Sequence, residues 1–186
     1  MDLENIMNCH KVLDIPVESL IKTLDGVPRL SKDQMLQAVA CDPKIFLHDH
    51  VYESLSRLGP LCSLVFEMRG NTSKDNIHID YDKVSLEPFW PCLNLIIEGS
   101  GVLRWFQPET QGKMKSAGGN FYMAWHKDYG EPVDEWASGK VALVRTDIPH
   151  NAFNYTNETR LSISVRWLAR YSWEETLEWF DKEFKI

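Results

Sequence analysis

The sequence predicts a mainly β protein with flanking helices (α+β), a β-sandwich or jelly roll with helices packed outside. Three observations predict it. Residues 1–60 carry helix signals, residues 61–168 carry seven or eight short strand-like runs, and residues 171–186 return to helical spacing. All 186 residues fit one domain.

The elements follow in order. Val17 to Leu24 is a short amphipathic run. Ser31-Lys32-Asp33-Gln34 has the form of a capping box, and Met35, Leu36 and Val39 follow at helical spacing, so a helix is expected there. His48 to Leu58 reads as another helix, ended by Gly59-Pro60. The character then changes. Cys62 to Met68, Ile77 to Tyr81, Cys92 to Ile97, Val102 to Phe106 and Phe121 to Trp125 read as strands. Val141 to Arg145, Ala152 to Tyr155 and Leu161 to Trp167 complete the set, with Gly, Pro, Asn and Asp clusters between them. Ser172-Trp173-Glu174-Glu175 is a second capping box. Leu177, Phe180 and Phe184 mark one face of a terminal helix, expected to cover a sheet and to be core material.

Composition narrows the function classes. Hydrophobic content of 44% supplies a real core without disulfides or a structural metal. A net charge of −7 argues against nucleic acid as the main partner, since phosphate binding needs a basic footprint. The four cysteines form no C-x-x-C pair and read as free thiols. No signal peptide and no transmembrane run is visible, so no membrane partner is expected, and a cytoplasmic location is. The sequons at Asn71, Asn154 and Asn157 read as chance matches.

The chemistry-bearing residues come in three pieces. On the strand Ile77 to Tyr81, His78 and Asp80 project to one face and Ile77 and Ile79 to the other. An imidazole and a carboxylate two residues apart on a rigid strand can ligate one cation, although a solvated strand face has the same pattern. His150, in Ile148-Pro149-His150-Asn151, is far enough downstream for another strand to return a second imidazole. Two His and one carboxylate form a facial triad that leaves positions open and suits iron(II) over a thiolate-rich zinc site. Arg160 then opens Arg160-Leu161-Ser162-Ile163-Ser164-Val165-Arg166, where Leu161, Ile163 and Val165 share one face and the four polar residues the other. An inward guanidinium needs an anion, a bidentate carboxylate suits its planar fork, and Ser162 adds a hydroxyl beside it.

The order His78-x-Asp80, His150, Arg160-x-Ser162 resembles the iron(II)/2-oxoglutarate-dependent dioxygenases, with the segment from about Cys62 to Trp167 carrying the likeness. The resemblance implies a double-stranded β-helix, the jelly-roll form of that family. It implies Fe(II) held by His78, Asp80 and His150, and 2-oxoglutarate paired through its distal carboxylate with Arg160, helped by Ser162. Dioxygen is then the co-substrate, and hydroxylation of a C–H bond the default outcome. Asp80 disfavours halogenation, because related halogenases have a small residue there.

Neighbouring residues have two readings each. Asn94 interrupts an apolar run and either touches the co-substrate or is structural. Trp105 and Tyr122 either line the pocket or belong to the core. Arg104 and Arg145 either bind an acidic group of substrate or co-substrate, or are solvated strand charges. Asp82 lies near its strand end, outside the ligand set. His48-Asp49-His50 is set aside as surface or capping, His10 and His126 have no partners at ligand spacing, and Gly112 to Asn120 reads as a flexible connection near the mouth.

The expected substrate is an amino acid, a small metabolite or a peptide residue. A non-enzymatic or metal-binding jelly-roll module is the second reading. A zinc hydrolase is the third, but it leaves Arg160 unexplained.

Overall fold

The computed structural model describes residues 8–73, 77–81, 87–88, 91–117 and 120–184. Its elements are β1 (His10–Val12), β2 (Leu36–Cys41), α1 (Pro43–Phe46), α2 (Asp49–Ser56), β3 (Leu61–Met68), β4 (Thr72–Ser73), β5 (Ile77–Tyr81) and β6 (Cys92–Glu98). There follow β7 (Val102–Phe106), β8 (Lys113–Ala117), β9 (Asn120–Trp125), β10 (Pro132–Trp136), β11 (Val141–Val144), β12 (His150–Asn154), β13 (Arg160–Trp167) and α3 (Trp173–Phe184). The strands form two antiparallel sheets. The six-stranded sheet runs β1-β11-β6-β13-β3-β2, and the seven-stranded sheet β10-β7-β12-β5-β9-β8, with β4 attached to β12.

The middle strand β13 explains the layering. All eight of its residues are buried, although every second one is polar or charged. Leu161, Ile163 and Val165 face outward into an apolar layer with Phe46, Val51, Leu55, Trp173 and Phe180. Helices α2 and α3 therefore cover the outer face of the six-stranded sheet. Each such side chain contributes about 1.5–3 kcal/mol by leaving water. Arg160, Ser162, Ser164 and Arg166 face the other way, into the space between the sheets. Part of that space is filled by a second core of Cys92, Ile96, Trp105, Trp136 and Val144. The rest is a polar cavity. The turn into β13 is held by Asn154, which is fully buried and whose Nδ2 donates to the Glu158 carbonyl at 2.8 Å. A glycan cannot attach to that side chain in the fold.

The N-terminal part departs from the helical expectation. Gln34 Oε1 does accept from the Ser31 backbone at 2.9 Å, which is half of a capping box. The chain then becomes strand β2, because Leu36–Cys41 pairs in full with the edge of β3. Long-range pairing overrides the local signal. Val17 to Leu24 forms only a 3-10 turn at Val17–Ser19. Its next residues bond instead to the 46–48 segment, through Lys22 N to Phe46 O and His48 N to Leu20 O. The helix expected over His48 to Leu58 forms as α2. The terminal helix forms as α3 with both reciprocal capping bonds, Ser172 N to Glu175 Oε2 at 2.7 Å and Glu175 N to Ser172 Oγ at 3.1 Å.

The stretch Gly112 to Asn120 is not a loose connection. Lys113–Ala117 is a strand paired along β9, with residues 118 and 119 outside the described set. Among the described residues no helix is long and apolar enough to cross a membrane.

Candidate metal centre

Register builds the centre. In the seven-stranded sheet, His150 of β12 is the direct cross-strand partner of His78 of β5, so both imidazoles project from the same face. Their ring centroids are 4.6 Å apart. Asp80 stands two residues along β5 on the same side, with Oδ1 3.6 Å from His78 Nε2. One ligand atom from each of His78, Asp80 and His150 lies within 4.8 Å of the others, close enough to share one cation. Among the described residues this is the one group of three or more His, Cys, Asp or Glu so placed. His48 and His50 stack on each other at 5.6 Å on or beside α2 and have no third ligand among the described residues.

Neighbouring contacts orient the ligands. His150 Nδ1 lies 2.8 Å from the Ile148 carbonyl. A carbonyl only accepts, so Nδ1 carries the proton and Nε2 presents its lone pair. Arg166 Nη2 donates to Asp80 Oδ2 at 2.6 Å, which leaves Oδ1 on the His78 side. Arg166 is itself braced by its Nε donating to Ser164 Oγ at 3.2 Å, and Ser164 donates to Cys92 Sγ at 3.1 Å. Burial pushes the Cys92 thiol up to about 11, and Cys92 is not part of the His78, Asp80, His150 group.

His78, Asp80 and His150 open into a cavity of about 550 Å³, its mouth included, which Asn94, Arg160, Ser162 and Arg166 also line. Leu36, Phe66, Met68, Leu103 and Ala152 add an apolar wall. Arg160 sits at one end, 3% exposed. Its Nε has no hydrogen-bond partner among the described residues. Burial alone pushes its guanidinium down to about 10, with no carboxylate acting to hold it up. Gly101 makes room for it: a Cβ there would stand 2.7 Å from Arg160 Cδ.

The sequence-predicted residues thus divide. His78, Asp80, His150, Arg160, Ser162 and Asn94 converge on one cavity. Tyr122 belongs to the rim of the centre. It is the cross-strand partner of Asp80, and its ring stands edge-on to His78 at 6.3 Å.

Three expectations are corrected. Trp105 is fully buried core, stacked on His10 at 5.4 Å, with its Nε1 donating to the Arg145 carbonyl at 2.7 Å. Arg104 is on the outer face of β7, paired with Glu135 at 2.6 Å and lying over the Phe153 and Tyr155 rings. Arg145 pairs with Asp147 at 2.7 Å and does not line the cavity. Strand parity explains Arg104, because it alternates with the inward-facing Leu103. Asp82 lies outside the described residues.

Sequence reasoning missed Arg166 as a neighbour of the metal ligands. The signal was present, since Arg166 shares the parity of Arg160 and Ser162 along β13.

No protein-family profile and no curated protein sequence matches the chain. Several solved structures are similar in part. A mutant of oxalate decarboxylase OxdC from Bacillus subtilis matches at 11% identity and TM-score 0.40, over 76% of this chain and 28% of that one. Vicilin from Solanum melongena matches at 10% identity and TM-score 0.44, over 81% and 33%. CapF, a capsular polysaccharide assembling protein of Staphylococcus aureus, matches at 15% and 0.34, over 57% and 24%. The chain spans about a third or less of each of these proteins, and their likeness is too distant to bear on function.

Proposed function

We propose that this chain is a mononuclear non-haem iron(II) dioxygenase that uses 2-oxoglutarate and hydroxylates an unactivated C–H bond of an amino acid, small metabolite or peptide residue. The observation that carries the reading is Arg160. It is a buried guanidinium without an acidic partner among the described residues, and it opens into the same cavity as a two-His, one-carboxylate set. A buried charge left in this state is costly unless a ligand completes it. A dicarboxylate that reaches from a metal to Arg160 fits that requirement, and a zinc hydrolase leaves Arg160 without a role.

The donor set also fits the metal. Two imidazoles and one carboxylate suit iron(II) and leave coordination positions for other ligands. His78, Asp80 and His150 would hold the ion, and Arg160 with Ser162 would bind the distal carboxylate of 2-oxoglutarate. When bound, iron with 2-oxoglutarate and dioxygen supplies the oxidising chemistry and releases succinate and carbon dioxide. The chain's own part is orientation and exclusion. The Ile148 carbonyl sets the His150 tautomer, and Arg166 turns the second Asp80 oxygen toward His78. The apolar wall of Leu36, Phe66, Met68 and Leu103 keeps the cavity dry around the aliphatic part of the co-substrate.

The test is spectroscopic. Purified anaerobically and given iron(II) and 2-oxoglutarate, the chain is expected to develop a visible metal-to-ligand charge-transfer band, which His150→Ala abolishes. A folded, iron-loaded sample without the band would sink the reading.

A metal-binding or non-enzymatic jelly-roll module is the second reading. One observation favours it: Arg166 pairs with Asp80 at 2.6 Å and so balances that carboxylate's charge. On that reading 2-oxoglutarate produces no band and no succinate.

A further inference from the structure

We propose that the flank of the metal centre opposite Arg160 binds an anionic group of the primary substrate, a phosphate or a carboxylate, through Lys113, Lys115 and His126. Only the word substrate rests on the oxygenase reading. The anion site stands on the sheet register.

Across the inner face of the seven-stranded sheet the strands run β7, β12, β5, β9, β8. The centre divides that face. On one side lie Ala152 and Leu103, and there the cavity ends at Arg160. On the other side the register continues through two rows. Asp80 pairs with Tyr122, which pairs with Lys115. His78 pairs with Ala124, which pairs with Lys113. Direct cross-strand partners project to the same face, so both lysines stand on the side that bears the metal ligands. His126 lies just past the end of β9, and Lys115 Nζ lies against its Nε2.

Distance favours a small acid. Two strand spacings place the lysine backbones roughly 10 Å from β5. A lysine stem is long enough to reach part of the way back toward Tyr122, whose ring stands edge-on to His78. A molecule with its reacting carbon at the centre and an anionic group several bonds away spans that gap. Among the described residues no carboxylate pairs with Lys113 or Lys115, so the positive charge is available to a ligand. The whole chain is acidic at −7, which makes two lysines and an imidazole on one face of one hairpin a local reversal of sign.

There is a plain alternative. Strand β8 is a sheet edge, and edge lysines keep strands from pairing with other chains. The two roles separate in a titration of the metal-free full-length chain. The His126 ring signals are followed by NMR while inorganic phosphate, and in a second series acetate, is added at constant ionic strength. A saturable shift of His126 is expected in at least one series, with the His48 and His50 signals unmoved. Lys113→Gln and Lys115→Gln should each weaken that response roughly tenfold, and Lys115→Arg should restore it. The stronger of the two series identifies phosphate or carboxylate as the group. No saturable shift in either series, or an undiminished shift in the Lys113→Gln/Lys115→Gln double variant, overturns the proposal. Because no metal is present, a saturable shift together with a missing charge-transfer band would refute the oxygenase reading and leave the anion site standing.

Discussion

Arg160 and Arg166 sit at the two ends of one stretch of β13, on the same face and equally buried at 3% exposure. Their electrostatic fates differ. Arg166 donates to Asp80 at 2.6 Å and is braced by Ser164. Arg160 meets apolar walls, Ser162 and Gly101, and its Nε is unsatisfied among the described residues. One guanidinium is part of the folded structure's own charge balance. The other is an imbalance kept in reserve, and such an imbalance is what a ligand-binding site needs. Among the described lining residues two guanidiniums stand against one carboxylate, a balance that suits an incoming dicarboxylate.

Four experiments break or sharpen that contrast. The largest effect is expected for Arg166→Met. It removes the Arg166 pairing from a largely buried Asp80, and urea denaturation should show a loss of about 3–5 kcal/mol. The matching change at the other end, Arg160→Met, should cost about 2–4 kcal/mol in 2-oxoglutarate affinity, read by calorimetry on the iron- or manganese-loaded chain. The same variant should leave the stability of the ligand-free chain unchanged or raise it by about 1 kcal/mol, because it removes an uncompensated charge. If both variants lose equal stability, the contrast fails.

Gly101→Ala comes next. Its Cβ would crowd Arg160 Cδ and the Phe153 carbonyl, and a cost of about 1–3 kcal/mol is expected in denaturation, with weaker co-substrate binding. The smallest effect concerns pH. The folded-state value of Arg160, about 10, lies well below its ordinary value, so between the two the unfolded chain holds more protons on this group. Its contribution to stability therefore rises with pH across that window. Subtracting the Arg160→Met profile from that of the parent chain isolates the term from lysines and tyrosines that titrate there.

The paired capping boxes show how far local signals reach. Ser172 and Glu175 form both reciprocal bonds and start a helix whose Trp173 and Phe180 pack on the outer face of β13. Ser31 and Gln34 form one such bond, and the chain then extends into β2. The local chemistry is nearly the same. The difference is that an open edge of β3 lay beside the second segment, and no periodicity within residues 31–41 reports that edge.

The site divides along the same line. A strand repeats every two residues, so the sequence by itself determined that His78 and Asp80 share a face, and that Arg160, Ser162, Ser164 and Arg166 share another. It also set residue types compatible with a metal and a carboxylate ligand. Which face points inward was not local information. Arg104 and Trp105 are consecutive on β7, and only the packing of the two sheets sent one to solvent and the other into the core. The register His150 to His78, the ion pair from Arg166 to Asp80 and the two flanks of the metal centre likewise came from tertiary structure. Alternation is written in the chain, whereas pairing partners depend on strands far apart in sequence that meet only when the sheets close.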